Sequence, residues 1–238
     1  MNFPLFSEMN QKIKNDLDLN EETFIQPQEL VAYFNEAVDM IEGQIHTLYE
    51  DYFLTYASFD VTAGQTEVDL PTNIFANKIR RIMWSLNDQE KYAMQRVKNL
   101  DELLLMQPTD DYRFMMTNSE GLNNAPPGFK IMISPGFRVT TTSLPLKVWY
   151  LRNAKRYVDS ASYCDIPEYS NVINQYVRYK CHAKEGHPDA AADLADLGRL
   201  QQSMIETLRD KYIDEQNEVP KDLTFYRDFD TQGFYNFY

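Results

Sequence analysis

Residues 166–216 constrain this chain more than any other stretch, because they read as two helices meeting at one sharp corner. Tyr169, Val172, Ile173, Tyr176, Val177 and Cys181 recur at steps of three and four, with Asn171, Gln175, Arg178 and Lys184 between them. Ala191, Leu194, Leu197, Met204, Ile205, Leu208 and Tyr212 repeat the pattern, which leaves Asp193, Asp196, Arg199, Glu206 and Asp210 for solvent. Between the two lies Gly186-His187-Pro188-Asp189. Glycine tolerates the left-handed conformation that ends a helix. Proline suits a first helical turn, where its missing N–H is not needed, and aspartate favours the positive end of the next helix. Two apolar stripes cannot both face water, so the rest of the chain must cover them.

The 43% of apolar residues in this 238-residue chain suffice for such a core. No run approaches the roughly 18 apolar residues of a membrane span, and no basic segment followed by an apolar one opens the chain. A soluble protein without a signal peptide, making no membrane contact, is expected. Cys164 and Cys181 are too few for a disulfide framework, and Cys181 falls on an apolar stripe, which favours a reduced intracellular setting.

The net charge of −13 is unevenly spread. Residues 8–60 hold 12 acids and 2 bases, residues 61–160 hold 10 and 13, and residues 161–238 hold 14 and 8. A chain so acidic is a poor general binder of nucleic acid, which needs a concentrated basic face. Segregated charge of both signs suits contacts between subunits.

Met9, Ile13 and Leu17 suggest a short amphipathic helix near the start. Pro27 opens a longer one, in which Leu30, Phe34, Ala37, Val38, Ile41, Ile45, Leu48 and Tyr52 cluster on one side. Glu29, Glu36, Asp39, Glu42 and Glu50 cluster nearly opposite. This helix is the natural cover for the 166–216 pair. Near Ser58 the period becomes alternating: Phe59, Val61, Val68 and Leu70 flank Ala63-Gly64-Gln65 and predict a β-hairpin stopped by Pro71. Ile79 to Trp84 and Lys91 to Val97 predict a second β unit around Asn87-Asp88, and Asn99 caps a short helix reaching Met106. Residues 107–128 read as a long polar loop, followed by strands over 129–133 and 144–151. The expected class is α+β: an antiparallel helical bundle with an inserted small antiparallel β-sheet domain and an extended C-terminal arm. The segments are residues 1–57, N-terminal helices of the bundle; 58–160, the β-rich insert; 161–216, the helical hairpin; and 217–238, the arm.

The ordered combination of Pro27-Gln28-Glu29-Leu30 through Asn35-Glu36-Ala37, Val61-Thr62-Ala63-Gly64-Gln65 with Val68-Asp69-Leu70-Pro71, Lys78-Ile79-Arg80-Arg81-Ile82, Val148-Trp149-Tyr150-Leu151-Arg152 and Ile166-Pro167-Glu168-Tyr169 resembles the head-to-tail adaptor, or connector, proteins of tailed bacteriophages, of the short-tailed type especially. The resemblance spans about residues 20–215. It implies a non-enzymatic virion protein of the head–tail junction, assembled in the host bacterial cytoplasm. Such a protein forms a dodecameric ring beneath the portal, contacts the portal and the tail or nozzle proteins, and lets DNA pass without specific binding. Another ring at a more distal level of the neck or tail is the alternative within that frame.

Phe225, Tyr226, Phe229, Phe234, Tyr235, Phe237 and Tyr238 follow neither a helical nor a strand period, and they are residue types that anchor interfaces. They are expected to form an arm that packs on a neighbouring subunit or the portal; folding back on the chain's own helices is the plainer reading. Glu29, Glu36, Asp39 and Glu42 would line the lumen and repel DNA, or simply be solvated. Lys78, Arg80, Arg81, Lys91, Arg96 and Lys98, interleaved with Trp84 and Tyr92, would meet the acidic helix of the next subunit, or else hold phosphates as a DNA-binding module.

Enzymatic readings are weaker. Cys164, Cys181, His182 and His187 lack a paired C-x-x-C, and on a helix Cys181 and His182 point about 100° apart, so no metal is expected. Asp110-Asp111 has no third ligand at metal spacing. Phosphate-binding and nucleophile-elbow motifs are absent from the sequence, and no cofactor is expected.

Overall fold

The structure, a computed structural model, describes residues 3–19, 24–62, 64–85, 91–104, 113–119, 128–134 and 143–217. It is α+β, and it divides into two compact units, one of residues Met1–Tyr49 with Arg156–Tyr238 and one of Glu50–Lys155.

In the first unit α1 (Phe6–Asp16) buries Phe6, Met9 and Ile13, one turn apart. Its start is fastened by backbone: Phe6 N–H donates to Ser162 O at 2.8 Å and Cys164 N–H to Pro4 O at 2.9 Å. α2 (Pro27–Leu48) begins at its proline, and the Gln26 N–H donates to Glu29 Oε2 at 2.8 Å. The Phe34 ring meets Phe6 at 5.1 Å and Tyr157 at 5.7 Å, both edge-on, and the Asn35 amide exchanges hydrogen bonds of 3.0 and 2.8 Å with the Tyr157 backbone. Thus α2, α1 and the segment after Lys155 are tied at one point.

The apolar period predicts α2 as far as Tyr52, but the helix stops at Leu48. Glu50 and Asp51 would crowd the negative end of a longer helix, and they lie instead in a 3-10 turn, Glu50–Phe53, bonded to cations of the β unit.

α4 (Ser170–Glu185) and α5 (Ala190–Asn217) meet at the expected corner, where Gly186 is left-handed at φ 68° and His187 N–H donates to His182 O at 2.9 Å. α4 packs on α5, α2 and α1, and α2 also touches α5. On α4 the buried residues are Val172, Ile173, Val177, Cys181 and His182. The stripe of α5 holds at Leu197, Met204 and Leu208 and departs from its predicted position in the first turn: Asp193, assigned to solvent, is 4% exposed, while Leu194 is 50% exposed. Polar groups of α4 draw Asp193 inward, as described below.

The second unit holds two four-stranded sheets. β1 (Leu54–Thr62), β8 (Ser143–Arg152), β3 (Ile74–Ser85) and β4 (Lys91–Ala93) form the first, antiparallel throughout. β2 (Glu67–Asp69), β7 (Gly128–Ser134), β6 (Arg113–Ser119) and β5 (Gln95–Arg96) form the second, in which β5 and β6 run parallel. Their inner faces share one core around Val61, Ile82, Leu146, Val148, Ile131 and Ile133.

Four expectations change here. β1 and β2 are not a hairpin: the turn at Gly64, φ 80°, directs them into different sheets, β1 onto β8 and β2 onto β7. A strand, β6, lies inside the stretch read as a loop, because Phe114 and Met116 reach the core while Arg113, Thr117, Asn118 and Ser119 are polar. The β insert is two sheets with one parallel pairing, not one small antiparallel sheet. Trp84, read as interleaved with surface cations, is in the core at 8% exposure. Of the return expected over Lys91–Val97, only β4 pairs back on β3, while β5 crosses to the other sheet and pairs with β6; the short helix α3 (Leu100–Leu104) follows Asn99 as expected, with Leu103 N–H bonded to Asn99 O at 3.2 Å, and residues 105–106 of its expected extent lie outside the described residues.

Candidate functional site

The acids of α2 are fewer free charges than their spacing suggests. Lys184 of α4 donates to both Glu29 oxygens, at 2.7 and 2.6 Å, and its ammonium lies 4.8 Å from the Phe24 ring centroid. That ammonium, with the Gln26 N–H second, holds the Glu29 carboxyl below the usual carboxylate range. One turn along, Lys180 lies 2.9 Å from Glu36 Oε2, which also accepts the Tyr176 hydroxyl at 3.1 Å. This bond raises the Lys180 pKa. Arg156, beyond the β unit in sequence, binds Asp39 and, at 2.5 Å, Glu42. Glu42 is 5% exposed, a buried carboxylate held by a guanidinium. The four acids therefore share three cations, and Asp39 at 61% side-chain exposure is the most open of them.

A second buried carboxylate stands at the helical corner. Asp193 Oδ2 lies 2.5 Å from His182 Nδ1, its Oδ1 is 3.0 Å from Arg178 Nε, and Gln175 Nε2 donates to that carboxylate and to its backbone carbonyl at 3.1 Å. The His187 ring stacks on His182 with centroids 4.5 Å apart. This cluster locks α4 to α5. Cys181, on the neighbouring stripe, has its thiol pushed up to about 12 by burial, and burial raises Cys164 as well, so neither offers a thiolate nucleophile. Among the described residues no group of three His, Cys, Asp or Glu could hold a metal.

In the β unit the six cations separate. Lys78 donates to Glu50 Oε1 at 2.6 Å, and Arg80 bridges Glu50 Oε2 at 2.5 Å and Asp51 Oδ1 at 2.9 Å. These bonds, Lys78 first, hold the Glu50 carboxyl low. Arg81 is exposed on β3, with its back to the core residue Ile82. Arg96 and Lys98 are exposed on the other sheet, where they rim a groove floored by Met115 and Met116. The side chain of Lys91 and the aromatic set Phe225, Tyr226, Phe229, Phe234, Tyr235, Phe237 and Tyr238 lie outside the described residues.

Sequence reasoning missed Arg156 and Asp193, whose partners are distant along the chain. A signal for Arg156 existed in α2, since at about 100° per residue Glu42 falls about 40° from the apolar Val38 but about 60° from Asp39.

No helix among the described residues is long and apolar enough to cross a membrane. No curated protein matches the chain. The model of the SU10 adaptor protein family matches residues 4–220, which takes in both units and all but the last stretch of the chain, and the protein belongs to that family.

Proposed function

We propose that this chain is a structural head–tail adaptor of a tailed phage, of the short-tailed type, and that copies of it close into a ring, a dodecamer, beneath the portal. The observation that carries this reading is the family match over residues 4–220, which includes both the helical unit and the whole β unit. In the ring, the helices α1, α2, α4 and α5 form a bundle stiffened by the buried Glu42–Arg156 and Asp193–His182 contacts. A closed ring needs a subunit that keeps its shape under head-to-tail contact. Buried Glu42, which the spacing places with the other acids, does not line the bore, but the α2 face bearing Glu29, Glu36 and Asp39 borders it. With three cations shared among four acids, it offers passing DNA no excess positive charge, and this suits a conduit better than a strongly charged wall. Arg81, Arg96 and Lys98, and with them Lys78, Arg80 and Lys91, contact neighbouring subunits. Residues 217–238 form the arm that locks the ring to a partner, another copy or the portal, and tail or nozzle proteins seat below. The site of action is the virion neck, after assembly in the host cytoplasm, and the role is not catalytic.

Native mass spectrometry of the purified chain mixed with the portal ring encoded in the same genome tests this. The expected result is a discrete complex with many copies added, weakened when the chain ends at Gln216. Absence of any complex under assembly conditions would remove the portal-facing level.

A further inference from the structure

The outward face of the first sheet carries a patch that the core does not need. In the β1–β8 register Tyr56 stands opposite Trp149 and Ser58 opposite Lys147, while β3 sets Arg81 opposite Trp149. Side chains alternate along a strand, so with Val148 and Ile82 turned to the core, Tyr56, Trp149, Lys147 and Arg81 share the other face. The Tyr56 and Trp149 rings lie 5.0 Å apart, and Lys147 Nζ sits 4.3 Å from the Tyr56 centroid. Tyr56 is nevertheless 51% exposed, and Arg81 is exposed beside it. Among the described residues neither Lys147 nor Arg81 is ion-paired with a carboxylate. Two adjoining aromatics flanked by two uncompensated cations are the composition of an interface centre, not of a solvated surface.

Such a face calls for an occupant that is aromatic and acidic in alternation. The chain contains one: Phe225-Tyr226-Arg227-Asp228-Phe229-Asp230. If extended, alternate residues share a side, so Tyr226, Asp228 and Asp230 would fall together at steps of about 6.6 Å. An aromatic followed by two carboxylates then meets an aromatic pair followed by two cations. We propose that residues 225–230 of one copy dock on the Tyr56–Trp149–Lys147–Arg81 face of another copy. This rests on the intermolecular reading of the aromatic arm and names the surface that receives it.

The test uses the full-length chain with the photo-reactive substitution Tyr226→benzoyl-phenylalanine, at the aromatic that shares a side with Asp228 and Asp230. Isotopically light and heavy copies are mixed before assembly and irradiated, and the cross-linked peptides are identified by mass spectrometry. Mixed light–heavy cross-links to peptides containing Tyr56 or Trp149 are expected. Arg81→Glu with Lys147→Glu should lower their yield about tenfold, because like charges then face each other, and Asp228→Lys with Asp230→Lys in the same chain should restore it. Cross-links to that face within one copy only would overturn docking between copies. Mixed cross-links to another surface would overturn the assigned face while leaving the intermolecular arm standing. Absence of any cross-link between copies, or to the portal when it is added, would overturn both.

Discussion

Arg156 shows how much depends on one residue whose role sequence spacing does not reveal. Its guanidinium satisfies a carboxylate, Glu42, that is 5% exposed, and at the same time an open one, Asp39. A buried charge stripped of its partner keeps the cost of its desolvation, whereas an exposed pair contributes little beyond what water supplies. Arg156→Met should therefore destabilise the folded chain by about 2–4 kcal/mol. Asp39→Asn should cost less than about 1 kcal/mol. Equilibrium urea unfolding of both variants checks the difference, and Arg156→Met combined with Glu42→Leu should recover most of the loss, since the one carboxylate then left without Arg156, Asp39, is open to water. A loss that persists in the double variant would mean that Arg156 acts by packing its stem and not through its charge.

At the scale of elements, the helices were legible and the sheets only half so, for a physical reason. A helix satisfies its backbone locally, so the periods of α2 and α4 predict their positions, and Gly186 at φ 68° marks the corner as expected. No Cβ contact opposes a side chain at Gly186, so the cost of Gly186→Ala is purely conformational, about 1 kcal/mol, and should show as an equal shift in unfolding free energy without change in the urea slope. Strand pairing is nonlocal. The alternation around Gly64 identified two strands but could not say that β1 would find β8 more than 80 residues away while β2 found β7. β6 was missed because its polar residues outnumber the two side chains it sends to the core. Among the candidate surface groups the acids and cations were visible and their partners were not: Lys78 and Arg80 meet Glu50 and Asp51 through tertiary contact alone.

Those two partners change the charge balance of the whole molecule. Divided by sequence spacing, the middle of the chain is basic; divided by its compact units, residues 50–155 hold 12 acids and 12 bases and are neutral, so residues 1–49 and 156–238 carry the entire −13. The β unit therefore has no net field to draw a duplex toward it, and two of its cations are already bonded to carboxylates. Phosphate binding depends on free cations that can displace condensed counterions, and its strength falls steeply with salt. Fluorescence anisotropy with a labelled duplex should accordingly give affinity no better than the weak non-specific range, about 10⁻⁴ M, at physiological salt. Glu50→Gln with Asp51→Asn releases Lys78 and Arg80, and because both acids are well exposed the fold should lose less than about 1 kcal/mol. This variant should bind the duplex measurably at low salt, with a salt slope steeper by about 1.8, the contribution of two added phosphate contacts. Tight, salt-steep binding by the unaltered chain would instead make the β unit a DNA-holding module, a property hard to reconcile with the conduit wall proposed above. If both proteins bind weakly, Lys78 and Arg80 face away from any surface a duplex can reach, and their pairing with the Glu50–Phe53 turn serves only to end α2 where the sheet begins.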